Sequence, residues 1–130
     1  MNLLINIDVP ELGPAVDFYR DALGFTLNRF LDDDVAELTG ASSRLYLLKN
    51  EAGTSSSTPG SAPRHYTRHW TPIHFDVVVD DLEAAARRAE HAGALREGEC
   101  REWLGSRCMT FSDPFGHGFC LIEFTNDTYA

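Results

Sequence analysis

Two polar residues interrupt the strand-like run "TPIHFDVVVDD" between residues 71 and 81. Val77, Val78 and Val79 are β-branched and apolar, as strand interiors prefer, yet His74 and Asp76 precede them. Side chains alternate along a strand, so His74, Asp76 and Val78 fall on one face. An imidazole titrates near neutrality, which suits proton transfer, and Asp76 is placed to pair with it. Plainer readings stand beside these. The pair faces solvent at a strand end, or His74 is simply held by a hydrogen bond to Asp76. Cys120, likewise, packs as a small buried hydrophobe.

The segment "RHYTRHW", residues 64 to 70, is too aromatic to be a simple linker. Arg64, His65, Tyr66, His69 and Trp70 suit a lid over a flat or acidic ligand, or a connector whose Trp70 packs at a seam. His65 and His69 are four apart, but no third ligand lies nearby, so no zinc site is expected there. Trp103 and Arg107 flank the turn "LGS" and are candidates for a pocket edge. His117, in "FGHG", reads as a turn residue, and His91 as a cation favoured at a helix C-terminus.

The elements that must position these groups follow from pattern and punctuation. "LLINIDV" reads as a strand. "PELGPAVDFYRDALGF" reads as a helix, with Pro14 near its first turn and Gly24 as its stop. "TLNRFLDD", "VAELTG" and "RLYLLKN" are three short strand candidates. Residues 51 to 63, "EAGTSSSTPGSAP", have little to bury and read as a mobile linker. The order then repeats: strand "IHFDVVV", helix "DLEAAARRAEHAGA", and strand candidates "LREGECREW", "RCMTFSD" and "GFCLIEF". Both halves read βαβββ, a repeat of element order. The expected organisation is a first module at 1–50, a linker with the aromatic–basic segment at 51–70, and a second module at 71–130, together one α+β domain.

A net charge of −9 argues against nucleic acid and anionic membranes, which need a basic surface. Cys100, Cys108 and Cys120 form no CxxC pair, so no disulfide framework is expected. The opening "MNLLINIDVPEL" lacks a basic region followed by a cleavage site, and the expected location is cytoplasmic.

Three stretches carry a family likeness. "DVPELGPAVDFYRDALGF", "HFDVVVDDLEAAARRAEHAG" and "DPFGHGFCLIEF" resemble, in that order, the opening helix, second-half strand and helix, and closing turn and strand of the vicinal oxygen chelate superfamily. That superfamily includes glyoxalase I, bleomycin resistance proteins, fosfomycin-modifying enzymes and extradiol dioxygenases. The resemblance implies two βαβββ modules whose curved mixed sheets form an open, barrel-like ligand cavity, often completed in a homodimer. It does not fix the chemistry, because one scaffold hosts unrelated functions.

Metal-using relatives take ligands from the first and last strand of each half. His74 matches their histidine, while the other positions fall at Leu4, at Tyr46 or Leu47 depending on register, and at Cys120. Tyr46 is preferred, and Glu123 has the wrong parity to share the face of Cys120. Where glutathione-using members carry an Arg, this chain has Asp8, so glutathione-dependent glyoxalase I activity is not expected. The resemblance therefore implies a small-molecule-binding protein of the glyoxalase and bleomycin-resistance type, without the usual metal site and with no resident cofactor. Its ligand-binding candidates are Asn6, Asp8, Tyr46, Trp70, His74, Asp76, Trp103 and Cys120. The alternative is a lyase, isomerase or dioxygenase-type enzyme using His74 as acid or base, or a non-standard divalent metal site.

Overall fold

The computed structural model describes residues 1–130. The chain divides into two compact units, Met1–Arg20 with Gly24–Thr67, and Asp21–Leu23 with Arg68–Ala130. The division at 67/68 falls inside the aromatic–basic segment, so "RHYTRHW" serves both units and is not a separate linker. No helix is long and apolar enough to cross a membrane.

The first unit carries β1 (Leu4–Val9), α1 (Leu12–Leu23), β2 (Thr26–Leu31), β3 (Val35–Thr39) and β4 (Arg44–Lys49). Its sheet runs β1-β4-β3-β2, with β1 parallel to β4 and the other pairs antiparallel. Helix α1 buries Ala15, Val16, Phe18, Tyr19 and Ala22. It stops where Gly24 takes a left-handed φ of 79°, with the Gly24 N–H bonded to Arg20 O and the Phe25 N–H to Tyr19 O.

The 51–63 stretch differs from the expected linker. Gly53 N–H bonds to Arg64 O and Arg64 N–H to Thr54 O, both at 2.8 Å. These paired bonds close a loop on itself at its base. Arg64 then reaches Asp8, an ion pair that joins positions 56 residues apart. The loop is thus anchored to the unit it leaves, which composition alone does not reveal.

The second unit carries β5 (Phe75–Val78), α2 (Leu82–His91), β6 (Leu95–Arg96), β7 (Arg101–Trp103), β8 (Ser106–Ser112) and β9 (Gly118–Phe124). The order is β5-β9-β8-β6, with β7 also pairing to β8 and β5 parallel to β9. Helix α2 starts at Asp81, whose side chain accepts from Ala84 N–H at 2.9 Å, and it packs on β8 and β9. Glu123 of β9 accepts the Leu82 N–H at 2.7 Å, so the odd-numbered face of β9 looks toward α2. Cys120 therefore lies on the opposite face.

One expected strand is two. "LREGECREW" breaks into β6 and β7, because Gly98 takes a φ of 94° that no strand holds and Glu97 turns to Arg68. Residues 98 to 100 thus leave β8, while the Glu97 N–H still bonds to Thr110 O at 2.8 Å. His74 also falls one residue before the paired stretch of β5 rather than inside it.

The β7–β8 connection is a two-residue hairpin, Leu104-Gly105, with φ values of 44° and 71°. Both values are positive, as in a type I′ turn, where Asn-Gly is the preferred pair. Leu104 is half exposed, so its side chain offers little packing in return. Leu104→Asn is expected to raise stability by about 1 kcal/mol, read from urea unfolding midpoints.

Candidate functional site

Each sheet carries one polar row across its strands at the same place in the repeat. In the first unit, strand register aligns Asn6 of β1 with Tyr46 of β4, Tyr46 with Glu37 of β3, and Glu37 with Arg29 of β2. In the second, it aligns Asp76 of β5 with Cys120 of β9, and Cys120 with Thr110 of β8. Tyr46 and Cys120 thus occupy equivalent positions, whereas Leu47 is fully buried in the core.

The first row centres on Glu37, which is 1% exposed in the middle of an apolar strand. Asn28 donates to its carboxylate at 2.5 Å, the Tyr46 hydroxyl at 2.8 Å and Arg29 Nε at 3.2 Å. These donors, Asn28 foremost, hold the carboxyl down at about 2 against the opposing effect of burial. Tyr46 is consequently committed to Glu37. Asp8 is committed as well: Arg64 Nε and Asn50 Nδ2 each reach it at 2.8 Å. Asn6 is exposed on β1. Asn6, Asp8 and Tyr46 all belong to the first unit, and two of the three already have strong internal partners.

The second row is more open. His74 Nε2 lies 3.4 Å from Asp76 Oδ1, and the Trp70 and His74 ring centroids are 6.3 Å apart. Ligating atoms of His74, Asp76 and Cys120 all lie within 4.8 Å of one another. Thr110 Oγ1 is 3.4 Å from Cys120 Sγ and accepts a hydrogen bond from Arg101 Nη2 at 3.1 Å. Burial pushes the Cys120 thiol up to about 11, so at neutral pH it is a thiol.

Beside this row lies a cavity of about 590 Å³ within the second unit, lined in part by Trp70, His74, Glu99, Arg101, Thr110 and Cys120. One wall is the Arg68–Glu97 pair, with Nε at 2.8 Å and Nη2 at 2.9 Å from the two carboxylate oxygens. Hydrogen bonding from Arg68 lowers the Glu97 pKa. Gly118 lies behind this wall, where a Cβ would sit 2.6 Å from Arg68 Nη2 and push that side chain aside. The break between β6 and β7 supplies Glu97, Gly98 and Glu99 to the same cavity.

Of the residues expected from sequence, the structure brings Trp70, His74, Asp76 and Cys120 together. Trp103 is not with them. It stacks edge-on against Tyr129 at 5.1 Å and lines a separate shallow depression with Arg107. The tight hairpin fixes that placement, since the Leu104-Gly105 turn pairs Trp103 back onto Ser106. From "RHYTRHW", Arg68 and Trp70 line the cavity, while Arg64 and Tyr66 bind within the first unit, Tyr66 through its hydroxyl to Asn50 O. Sequence reading missed Glu37, Arg68, Glu97 and Arg101. A glutamate amid the apolar residues of "VAELT" was the one signal available. His117 is a turn residue, its Nδ1 2.7 Å from buried Asp113 Oδ2.

Two βαβββ-type modules with mixed sheets, each carrying a polar row at the same register, define a glyoxalase-like architecture. Residues 4–122 match the glyoxalase-like domain, and the chain belongs to that family. Its solved neighbours are vicinal oxygen chelate proteins. A genomically encoded fosfomycin resistance protein, FosX, from Listeria monocytogenes is 15% identical with a TM-score of 0.72, over 96% of this chain and 93% of that one. A lactoylglutathione lyase from Agrobacterium tumefaciens is 20% identical with a TM-score of 0.66, over 95% and 92%. A glyoxalase/bleomycin resistance protein/dioxygenase from Nocardioides is 18% identical with a TM-score of 0.66, over 100% and 89%. At these identities the likeness is one of fold. No curated protein matches the sequence.

The metal-ligand pattern implied by the superfamily needs donors from both modules. Leu4 is apolar and half exposed, and the Tyr46 phenol is spent on Glu37. The first unit's residues do not fit that pattern.

Proposed function

We propose that this protein binds a small, flat molecule carrying both hydrogen-bond donors and acceptors in the cavity of its second unit. The observation that carries the reading is the cavity itself, whose volume of about 590 Å³ suits a small organic ligand. Trp70 stands 76% exposed at its edge, a large apolar surface that stacking on a ring would cover. Around it, Arg101 offers donors, Glu99 offers acceptors and His74 offers either. Cations and carboxylates alternate, so the ligand is amphoteric or neutral rather than strongly acidic. This is the binding-protein branch of the family rather than the glutathione-using one.

The test is a thermal-shift screen of the full chain with planar aromatic and peptide-like antibiotics. A compound binding the native state alone at a hundred times its Kd adds about 2.7 kcal/mol, a shift of several degrees. Trp70→Ala is expected to weaken that compound by roughly thirtyfold, as loss of an aromatic anchor does. No shift from any compound at saturating concentration, or an affinity untouched by Trp70→Ala, would contradict the reading.

A further inference from the structure

Granting the binding cavity proposed above, we infer that its ligand is a planar amphoteric acid, with the carboxylate taken by Arg101 and an N–H donor at the other end taken by Glu99. Four charged side chains line the cavity: Arg68, Glu97, Glu99 and Arg101. The first two satisfy one another. Arg68 Nε and Nη2 meet the two oxygens of Glu97 at 2.8 and 2.9 Å, and Arg68 Nη1 donates to His69 O at 2.5 Å. A guanidinium and a carboxylate closed on each other in a fork have little left to offer a third group. His74 is likewise turned to Asp76, at 3.4 Å.

Glu99 and Arg101 are left over. Arg101 Nη2 donates to Thr110 Oγ1 at 3.1 Å, and neither Arg101 nor Glu99 forms an ion pair. They stand on either side of Cys100, where the chain that left β8 at Gly98 rejoins it as β7. The broken strand thus presents one cation and one anion, close together, to the same cavity. While the cavity holds water, both charges are solvated. A ring stacked on Trp70 displaces that water, and a charged group covered without a partner loses its hydration for no return. An uncharged apolar ligand would therefore strand both groups. A ligand with one acid and one donor meets both, whereas a second acid would face Glu99. The bond to Thr110 holds Arg101 by a single N–H and leaves the rest of its fork for a carboxylate.

Calorimetric titration of the full chain with matched probes provides the test: 6-amino-2-naphthoate, its carboxamide, 2-naphthoate and 2,6-naphthalenedicarboxylate. The first should bind tightest. The carboxamide and 2-naphthoate should each be weaker by about tenfold, the loss of one hydrogen bond to a charged group. The dicarboxylate should bind more weakly than 2-naphthoate, because its second acid meets Glu99. Arg101→Gln should erase the preference for acid over amide and keep the contribution of the amino group. Glu99→Gln should do the reverse. Both side chains are exposed, so neither substitution disturbs the core. Acid and amide bound alike, an acid preference that survives Arg101→Gln, or an amino contribution that survives Glu99→Gln would each overturn the inference. Trp70 gives the separate readout for the cavity itself. Planar compounds that bind through Trp70 without any preference within this series would overturn the ligand class alone. Absence of all Trp70-dependent binding would overturn both.

Discussion

Phe119→Ala is expected to cost roughly 3–5 kcal/mol of folding stability, a large share of what a domain of this size possesses. Phe119 is 1% exposed in the central strand β9. Its ring stacks at 6.1 Å on Phe75 of β5 and at 5.7 Å on Phe111 of β8, so one side chain ties three strands together. Truncation removes the transfer energy of a buried ring and leaves a void between two other rings. Phe119→Leu keeps much of the volume and should cost less than about 1.5 kcal/mol. Urea unfolding of both variants separates the effects. A loss below about 1 kcal/mol for Phe119→Ala would mean the aromatic row is not the core of this unit.

The second large effect concerns Glu37. Replacement by alanine strips the shared acceptor from Asn28, Tyr46 and Arg29 in a place water scarcely reaches. The unfolding midpoint should fall by about 5–10 °C. Charge and shape can be separated with Glu37→Gln, which keeps the acceptor oxygen but not the anion. In the native chain the folded carboxyl titrates near 2, below its unfolded value of 4.5. Its stabilisation is therefore fully present above about pH 4.5. It is lost as pH falls from there toward 2, because the unfolded chain takes up the proton first. Denaturation measured across that window should show a steep fall for the native chain and a flatter one for Glu37→Gln. Equal slopes would contradict the assigned network.

Much of this architecture was legible in the residues. The helices announced themselves through Gly24 and through an alanine-rich run, and the repeated element order implied two like modules. Parity along β9 correctly separated Glu123 from Cys120. What sequence could not supply was register between strands. The partnership of Asp76 with Cys120 spans 44 positions and exists only because β5 and β9 run parallel in one alignment. The donors that Asn28, Arg29 and Tyr46 bring to Glu37 come together only when three strands are laid side by side. Asp8 looked like a pocket carboxylate because Arg64, its partner, sits beyond a Gly/Ser-rich loop. Trp103 looked like a pocket residue because its hairpin turn was not recognised as a two-residue type. Each miss is a long-range pairing or a turn geometry, never a misjudged side-chain chemistry.

The claim that the second unit's cavity is the binding site can be tested through the protein's two tryptophans. Trp70 lines the cavity and Trp103 lies in the separate depression. Trp103→Phe leaves Trp70 as the only indole, and Trp70→Phe leaves Trp103. Fluorescence of both variants is followed while titrating a compound that shifts the melting temperature. The predicted result is saturable quenching in Trp103→Phe and a flat signal in Trp70→Phe. Quenching confined to Trp70→Phe, or none in Trp103→Phe at concentrations that saturate the thermal shift, would place the ligand elsewhere and contradict the claim.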